Sequence, residues 1–349
     1  MACGINSMED ISACNLLIGV KEVKNEYLIP GKSYLFFSHT AKKQKHNLDL
    51  LRDVIEKKIQ LIDYEYLTDG NNVRTVAFGR WAGVVGAYNA LRAYGIRYNK
   101  FELKPAWKCK DKEELLNHLS EITITNQKIV ITGGGRVAQG ALEIIDAAGF
   151  SKVSPDKFLK ESGRNIYTQL DPENYVIHNE NRTFDLCHFF CFPEEYKNIF
   201  SPYSMAADIF IACHFWDPRS PVLLTREDMQ HAGFRIKIIA DVSCDIPGPI
   251  PSTLRASTIA EPFYGYDPRT GNESDAFDHK NITVMSVDNL PGELPRDASE
   301  DFGKKLISEV IPSILGIADP SVIERATIAK DGKLTEKFAY LQGFLDGAE

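Results

Sequence analysis

Two side chains able to move protons stand at the ends of apolar runs: Lys21 after residues 16–20 and His39 after residues 34–37. If those runs are neighbouring parallel strands, both groups leave the sheet at its carboxyl edge, where open α/β sheets bind ligands. An amine and an imidazole there suit redox chemistry at a carbon–nitrogen bond, because forming or breaking an imine takes several proton transfers. A lysine whose pKa is lowered by burial and a neighbouring cation can take and return those protons near neutral pH. The plainer alternative is a solvated strand-end lysine and a histidine satisfied locally. Arg74 offers either a bidentate clamp for a carboxylate or a partner for a nearby acid such as Glu65.

The cofactor for such chemistry is suggested by the run Lys128-Ile-Val-Ile-Thr-Gly133-Gly134-Gly135-Arg136-Val137-Ala138-Gln139-Gly140. A β-branched stretch ends at three glycines, and a helical pattern follows at once, with Val137, Ala141, Ile144, Ile145 and Ala148 on one face. Strand, glycine turn and helix in that order present bare backbone N–H groups to a pyrophosphate. The spacing Gly133-x-Gly135-x-x-Ala138 is the alanine-ended form of the dinucleotide fingerprint, although a tight structural turn between strand and helix also explains it.

Two further clusters invite a reading. Cys187-His188-x-x-Cys191 has zinc-like content, but no second close pair follows at ligand spacing, so the expectation is no metal and a buried aromatic-rich segment. Asp288-Asn-Leu-Pro291 follows an apolar run and sits where a loop could touch a cofactor, or where a plain strand-to-helix turn falls.

The elements that must position these groups read as strand–helix–strand alternation. Residues 15–23, 33–39 and 60–67 read as buried strands, and Leu48, Leu51, Ile55 and Ile59 recur at helical spacing between the last two. A small-residue helix covers 79–98. Further strands are expected at 208–214, 235–242 and 282–287, and a closing helix at 298–315. Such alternation implies parallel sheets. The expected fold is α/β, with two Rossmann-like domains flanking a cleft. The substrate domain is discontinuous, 1–80 plus 296–349, and the dinucleotide-binding domain is 81–295.

The chain has 349 residues, 44% of them hydrophobic and 25% charged, which is ordinary for a soluble globular protein. A formal net charge of −8 argues against nucleic acid or a membrane surface as partner. Seven scattered cysteines fit free thiols in a reducing compartment, and no signal-peptide pattern or membrane-length apolar segment is present, so the expected location is cytoplasmic.

Four stretches carry a resemblance to a known family: Ile18-Gly-Val-Lys-Glu22, Phe36-Phe-Ser-His-Thr-Ala-Lys-Lys-Gln44, Val76-Ala-Phe-Gly79, and Val287-Asp-Asn-Leu-Pro-Gly-Glu-Leu-Pro295. Together they resemble the saccharopine dehydrogenase and lysine–ketoglutarate reductase family, kin of alanine dehydrogenase. The tract from Phe215 to Thr225 and Asp241-Val-Ser-Cys-Asp245 are more similar to the reductase branch. The resemblance implies an oxidoreductase acting on CH–NH donors with NAD or NADP. Its reaction joins lysine and 2-oxoglutarate through a reduced imine, or runs the reverse, with these small amino-acid and 2-oxo-acid substrates as partners.

By the same resemblance, Lys21 and His39 fall on the family's catalytic positions. Gln44, Arg74, Phe78, Ser243, Cys244 and Asp245 fall on substrate-binding ones. Gly133, Gly134, Gly135, Arg136, Val137, Ala138, Val242, Asp288, Asn289, Leu290 and Pro291 fall on cofactor contacts. Three departures stand out. The family's opening strand and helix, with a substrate-holding arginine, has no counterpart here. The ribose-binding acid expected about twenty residues past the glycines is replaced by Lys152-Val-Ser154, with Asp156 and Lys157 nearby, which keeps NADP in play. A loop cysteine of some relatives is Val137, so its disulfide is not expected. The alternatives are an alanine-dehydrogenase-like activity with ammonia, or an inactive nucleotide-binding relative.

Overall fold

A computed structural model describes residues 8–347. The chain divides into two compact units, Met1–Ala77 with Glu300–Glu349, and Phe78–Ser299.

In the first unit, β1 (Leu16–Lys21), β2 (Ser33–Phe37) and β3 (Gln60–Asp63) form a parallel sheet, with the amphipathic helix α1 (Leu48–Glu56) between the last two. Two late strands extend it: β14 (Thr327–Lys330) pairs antiparallel with β3, and β15 (Lys333–Leu334) with β14. β2 is buried from Tyr34 to Phe37, so its apolar run is continuous, as expected of a central parallel strand.

β1 departs from the expected buried strand. It lies at the sheet edge with β2 as its neighbour, and Ile18 and Val20 are about half exposed. The expected strand 60–67 also stops early. Asp63 accepts a hydrogen bond from the Glu65 amide (2.8 Å) and curls the chain into a 3-10 turn, Tyr64–Tyr66.

In the second unit the strands run in the order β12-β11-β13-β10-β9-β4-β6-β5. The parallel part comprises β4 (Lys128–Thr132), β5 (Ser151–Lys152), β6 (Ile166–Leu170), β9 (Ile209–Ala212), β10 (Ile238–Asp241) and β13 (Ile282–Met285). A hairpin of β11 (Phe263–Asp267) and β12 (Asn272–Ser274) adds antiparallel strands absent from the sequence reading. Both sheets are therefore mixed rather than purely parallel. A separate two-stranded ribbon joins β7 (Val176–His178) to β8 (Tyr196–Asn198).

Three helices build one face of this unit: α2 (Gly79–Arg97), α3 (Lys112–Ser120) and α4 (Arg136–Ala147). α2 is buried almost all round and crosses α4 at glycines. A Cβ on Gly83 would overlap the Val137 backbone, and one on Gly140 would overlap that of Arg80. The two helices therefore meet backbone to backbone, and Glu143 of α4 adds ion pairs to Arg80 (2.5 Å) and Lys112 (3.0 Å).

The expected closing helix is broken. Pro295–Lys305 is α-helical, Leu306–Val310 is a π-turn, and Ile311–Ile314 resumes the helix. Pro312 has no N–H to continue the ordinary ladder, which accounts for the change of hydrogen-bond register ahead of it. Among the described residues no helix is long and apolar enough to cross a membrane.

Candidate functional sites

In the first unit, Lys21 and Phe37 are register partners at the carboxyl ends of β1 and β2. Register partners on parallel strands share a sheet face, and the His39 ring stacks on Phe37 at 6.2 Å and 15°. The shared edge expected of Lys21 and His39 is therefore present in this unit. Lys21 is exposed, however, and not buried as the proton-transfer argument supposed, because its strand is the edge strand.

His39 has φ +55°, a left-handed conformation that costs a residue with a Cβ about 1 kcal/mol or more. The flanking residues hold it there. Ser38 donates both its amide (3.1 Å) and its hydroxyl (2.5 Å) to Asp63 Oδ2, and lies 2.9 Å from the Thr40 hydroxyl. Asp63 is fully buried at the end of β3, and burial pushes its carboxyl up against the opposing pull of these hydrogen bonds. One carboxylate thus ties the turn after β2 to the turn after β3.

That tie brings Glu65 beside the imidazole. His39 Nδ1 is 3.6 Å from Glu65 Oε2, and Lys42 Nζ is 2.9 Å from Glu65 Oε1 and 3.2 Å from His39 Nδ1. Arg74 lies beside Glu65: its Nε donates to the Glu65 carbonyl (3.1 Å) and its guanidinium is 4.0 Å from the carboxylate. Burial raises the Glu65 pKa, but hydrogen bonds from His39 and Lys42 and their charges outweigh it, leaving about 2. Glu65 is thus an anion amid three basic side chains, with His39 Nδ1 turned toward it. Gln44 stays exposed in the same loop and accepts from Asn47 Nδ2 (3.4 Å), which also donates to the His39 carbonyl (3.4 Å). Lys42 and Asp63 were not singled out from the sequence. The basic run around Lys42 was a visible signal, whereas Asp63 becomes recognisable only once strand register places it opposite Ser38.

In the second unit, the Thr132–Gly135 turn joins β4 to α4 at the carboxyl edge of the sheet. Gly133 has φ +100°, and a Cβ there would meet the Cys213 carbonyl at 2.6 Å. A Cβ on Gly134 would meet Asp171 Oδ1 at 2.6 Å, while at Gly135, which caps α4, nothing lies within 4 Å. The turn is therefore a cradle that side chains would fill, ahead of a 12-residue helix whose N-terminal N–H groups favour an anion. A dinucleotide fits this geometry. Arg136, Val137 and Ala138 form the first turn of α4, with Ala138 buried, whereas Gly140 serves the α2 contact.

The ribose-side expectation is overturned. Lys152 ends β5, but β5 is the outermost strand, and the strand beside β4 is β6. The acid at the end of that neighbouring strand is Asp171, against Gly134 and capping α6 (Pro172–Tyr175). Asp171 occupies the place where doubly wound folds hold the ribose hydroxyls. Lys152 instead donates to Gln169 (2.8 Å), which donates to the Gly133 carbonyl (2.9 Å).

The remaining predicted residues lie apart from the glycine turn in role. Phe78 precedes α2 and packs partly buried on the core, and Val242 lies so close to α2 that a side chain on Gly86 would overlap it. Ser243 and Cys244 wrap the buried Asp241: the Ser243 hydroxyl (2.6 Å) and the Cys244 amide (3.1 Å) donate to its Oδ1. Cys244 has φ +52°, donates its thiol to the Ser286 carbonyl (3.2 Å), and is pushed up to about 12 by burial and Asp241. Burial also raises Asp245. Asp288 and Asn289 are exposed, Leu290 is core, and Pro291 lies in the 3-10 turn Leu290–Glu293 packed near α2.

One buried group here went unnoticed in the sequence. His214, just past β9, has Nδ1 2.7 Å from the Thr132 hydroxyl, and burial lowers its pKa to about 4. Among the described residues its Nε2 has no hydrogen-bond partner.

The fold is an α/β one similar to that of alanine dehydrogenase. An L-alanine dehydrogenase structure superposes with TM-score 0.58 at 13% identity, covering 96% of this chain and 81% of that one. Residues 3–85 match the family model "Alanine dehydrogenase/PNT, N-terminal domain". Over 97% of its length the chain is 30% identical to alpha-aminoadipic semialdehyde synthase of Arabidopsis thaliana, but spans only 36% of that protein. It is 28% identical to saccharopine dehydrogenase [NAD(+), L-lysine-forming] of Candida glabrata, over 85% of this chain and 74% of that protein. The chain is similar over most of its length to saccharopine dehydrogenases and alpha-aminoadipic semialdehyde synthases, and it spans less than half the length of the synthases it matches.

Proposed function

We propose that the chain is an NAD-linked oxidoreductase of the saccharopine dehydrogenase type, acting on the CH–NH bond that joins lysine to 2-oxoglutarate. The observation that carries the cofactor half is the Gly134–Asp171 juxtaposition beside the bare N-terminus of α4. A carboxylate there accepts hydrogen bonds from ribose hydroxyls and repels a 2′-phosphate, which favours NAD over NADP. When bound, the nicotinamide supplies or accepts the hydride.

Lys21 is assigned the proton transfers of imine formation and hydrolysis, and His39 is the second proton-transfer group. Glu65 is assigned the role of orienting His39 through Nδ1. Arg74 remains a carboxylate anchor in this reading: its side chain is 41% exposed and its 4.0 Å approach to the Glu65 carboxylate is loose. Gln44, Phe78 and the Ser243–Asp245 turn are assigned to substrate, and Val242 and Asp288–Pro291 to the cofactor. The domain roles follow, with the substrate domain carrying Lys21 and His39 and the dinucleotide domain carrying the glycine turn.

The test is oxidation of NADH or NADPH by the protein with 2-oxoglutarate and either lysine or ammonium. Turnover with NADH and lysine is expected. Preference for ammonium would move the assignment to an amino-acid dehydrogenase. Tight NADH binding without turnover of any pair would make the chain a non-catalytic nucleotide binder.

A further inference from the structure

Around the β7–β8 ribbon, far in sequence from the glycine turn, sits a cluster that neither site uses. His178 ends β7, His188 lies in the short helix α7 (Leu186–Cys191), and Glu195 directly precedes β8. The ribbon sets the first contact. His178 is the register partner of Tyr196, and the Asn179 amide donates to the Glu195 carbonyl (2.8 Å), so Glu195 lies beside His178. Asp185 caps α7 by accepting from the His188 amide (2.7 Å), which fixes the turn that carries the second imidazole. That helix is not the buried segment expected from its aromatic content: Phe189 is buried, but Leu186, Phe190 and both cysteines are exposed. Glu195 Oε2 is 3.2 Å from His178 Nε2 and 3.8 Å from His188 Nε2, and one ligand atom from each of the three lies within 4.8 Å of the others. Both imidazoles line a cavity of about 430 Å³. Cys187 and Cys191 line it too, but among the described residues neither joins the three at that spacing.

The second imidazole is set for a cation. His188 Nδ1 faces the Tyr196 hydroxyl (3.1 Å), and that hydroxyl donates to the Asp185 carbonyl (3.4 Å), so it accepts from His188 and the ring proton sits on Nδ1. The Nε2 lone pair is then bare and faces a carboxylate oxygen, two acceptors with no hydrogen between them. Among the described residues no lysine or arginine pairs with Glu195; its ionic partners are the two imidazoles. A cation among the three atoms relieves that opposition, and a histidine whose other nitrogen donates to a fixed acceptor is the usual arrangement at a metal. His178 is the ligand that must change. Its Nδ1 accepts from the Glu180 amide (3.1 Å), so in the neutral ring Nε2 carries the proton and donates to Glu195. An ion at Nε2 moves that proton to Nδ1 and turns out the Glu180 amide, which lies in the exposed stretch 179–183.

We propose that His178 Nε2, His188 Nε2 and Glu195 bind a divalent ion of the zinc class. Bonds of about 2.0–2.2 Å put the corners of a tetrahedron roughly 3.3–3.6 Å apart. The observed 3.2 Å and 3.8 Å edges bracket that range. The remaining adjustment falls to His188, half-buried on a short helix. Two imidazoles and one carboxylate suit a borderline-soft ion and leave one coordination position, which the cavity has room to fill with water. Bound there, the ion pins α7 to the ribbon. This reverses the metal-free expectation, which rested on the want of a second close Cys/His pair. Two of the three ligands, His178 and Glu195, come from the ribbon that flanks the helix, and the two cysteines are not needed.

The experiment titrates the full reduced, chelator-stripped chain with cobalt(II) and then zinc. Expected are a single ion per chain, visible cobalt absorption without a thiolate-to-cobalt charge-transfer band, and loss of that absorption when zinc displaces cobalt. His178→Gln, His188→Ala and Glu195→Gln should each weaken binding by more than the roughly 10- to 100-fold of an outer-shell change. Tyr196→Phe, which removes the acceptor of the His188 ring proton, should weaken it by about 10-fold. The Cys187→Ser/Cys191→Ser pair should bind as wild type. Unaltered melting of metal-free His188→Ala and Glu195→Gln, both changed at half-buried positions, controls for folding, so the test stands even where buried His178 does not tolerate replacement. Absence of saturable binding, a thiolate band lost in the double cysteine variant, or wild-type affinity in His188→Ala or Glu195→Gln would overturn the proposal.

Discussion

Replacing Glu65 with Gln tests whether the cluster behind His39 works as an electrostatic unit. The carboxyl is held at about 2 against an ordinary 4.5. At about 1.4 kcal/mol per pKa unit, that difference corresponds to roughly 3 kcal/mol of folded-state preference for the anion. Lys42 and Arg74 are 47% and 41% exposed, so solvent screens much of their attraction, and a net loss of about 1–2 kcal/mol is expected at pH 7. The sign follows from a folded pKa below the unfolded one. The stabilisation is complete above about 4.5 and is lost as pH falls through about 2. Melting wild type and Glu65→Gln from pH 7 to pH 2.5 should therefore show a gap in Tm that narrows on acidification, with less than half remaining at pH 3. A gap that is absent at pH 7, or equally wide at pH 3, would refute the cluster's role.

Lys21→Met should lower kcat by about 100-fold or more while leaving melting and NADH affinity unchanged, since Lys21 is exposed; steady-state rates and NADH fluorescence titration check this. Asp171→Ala should weaken NADH binding about tenfold and narrow its advantage over NADPH, measured by parallel titrations. His214 is neutral in the fold with a pKa of about 4, below its ordinary 6.5, so its contribution is complete above about 6.5 and is lost as pH falls through about 4. Wild-type Tm should therefore fall over that range, by the equivalent of roughly 3 kcal/mol, and His214→Gln should flatten the slope.

The strands that place the chemistry were legible because continuous apolar runs mark central parallel strands, and β2, β4, β9, β10 and β13 all fall inside such runs. The turn at Gly133–Gly135 was legible because few residue types tolerate it. Less visible were features that depend on neighbours in space. The edge position of β1 exposes an apolar run identical in character to a buried one. Asp63 and Asp171 stand at strand ends with nothing in their local sequence to single them out, and each matters through the strand beside it. Counting about twenty residues from the glycines led to Lys152, because that offset assumes the next strand in sequence is also the next in space. Here the chain visits the outer position first, at β5, and returns inward at β6.

The glycine-to-backbone crossing of α2 and α4 has a genetic consequence. Elsewhere on these helices a changed side chain can be absorbed by rotamer adjustment, but at positions 83 and 140 the facing surface is main chain, which has no alternative conformer to offer. A saturation library of this protein should show two nearly empty rows there, intolerant even of alanine. Because α4 begins at the turn that Gly135 caps, a forced displacement at either row would carry the Gly133–Gly135 amides with it.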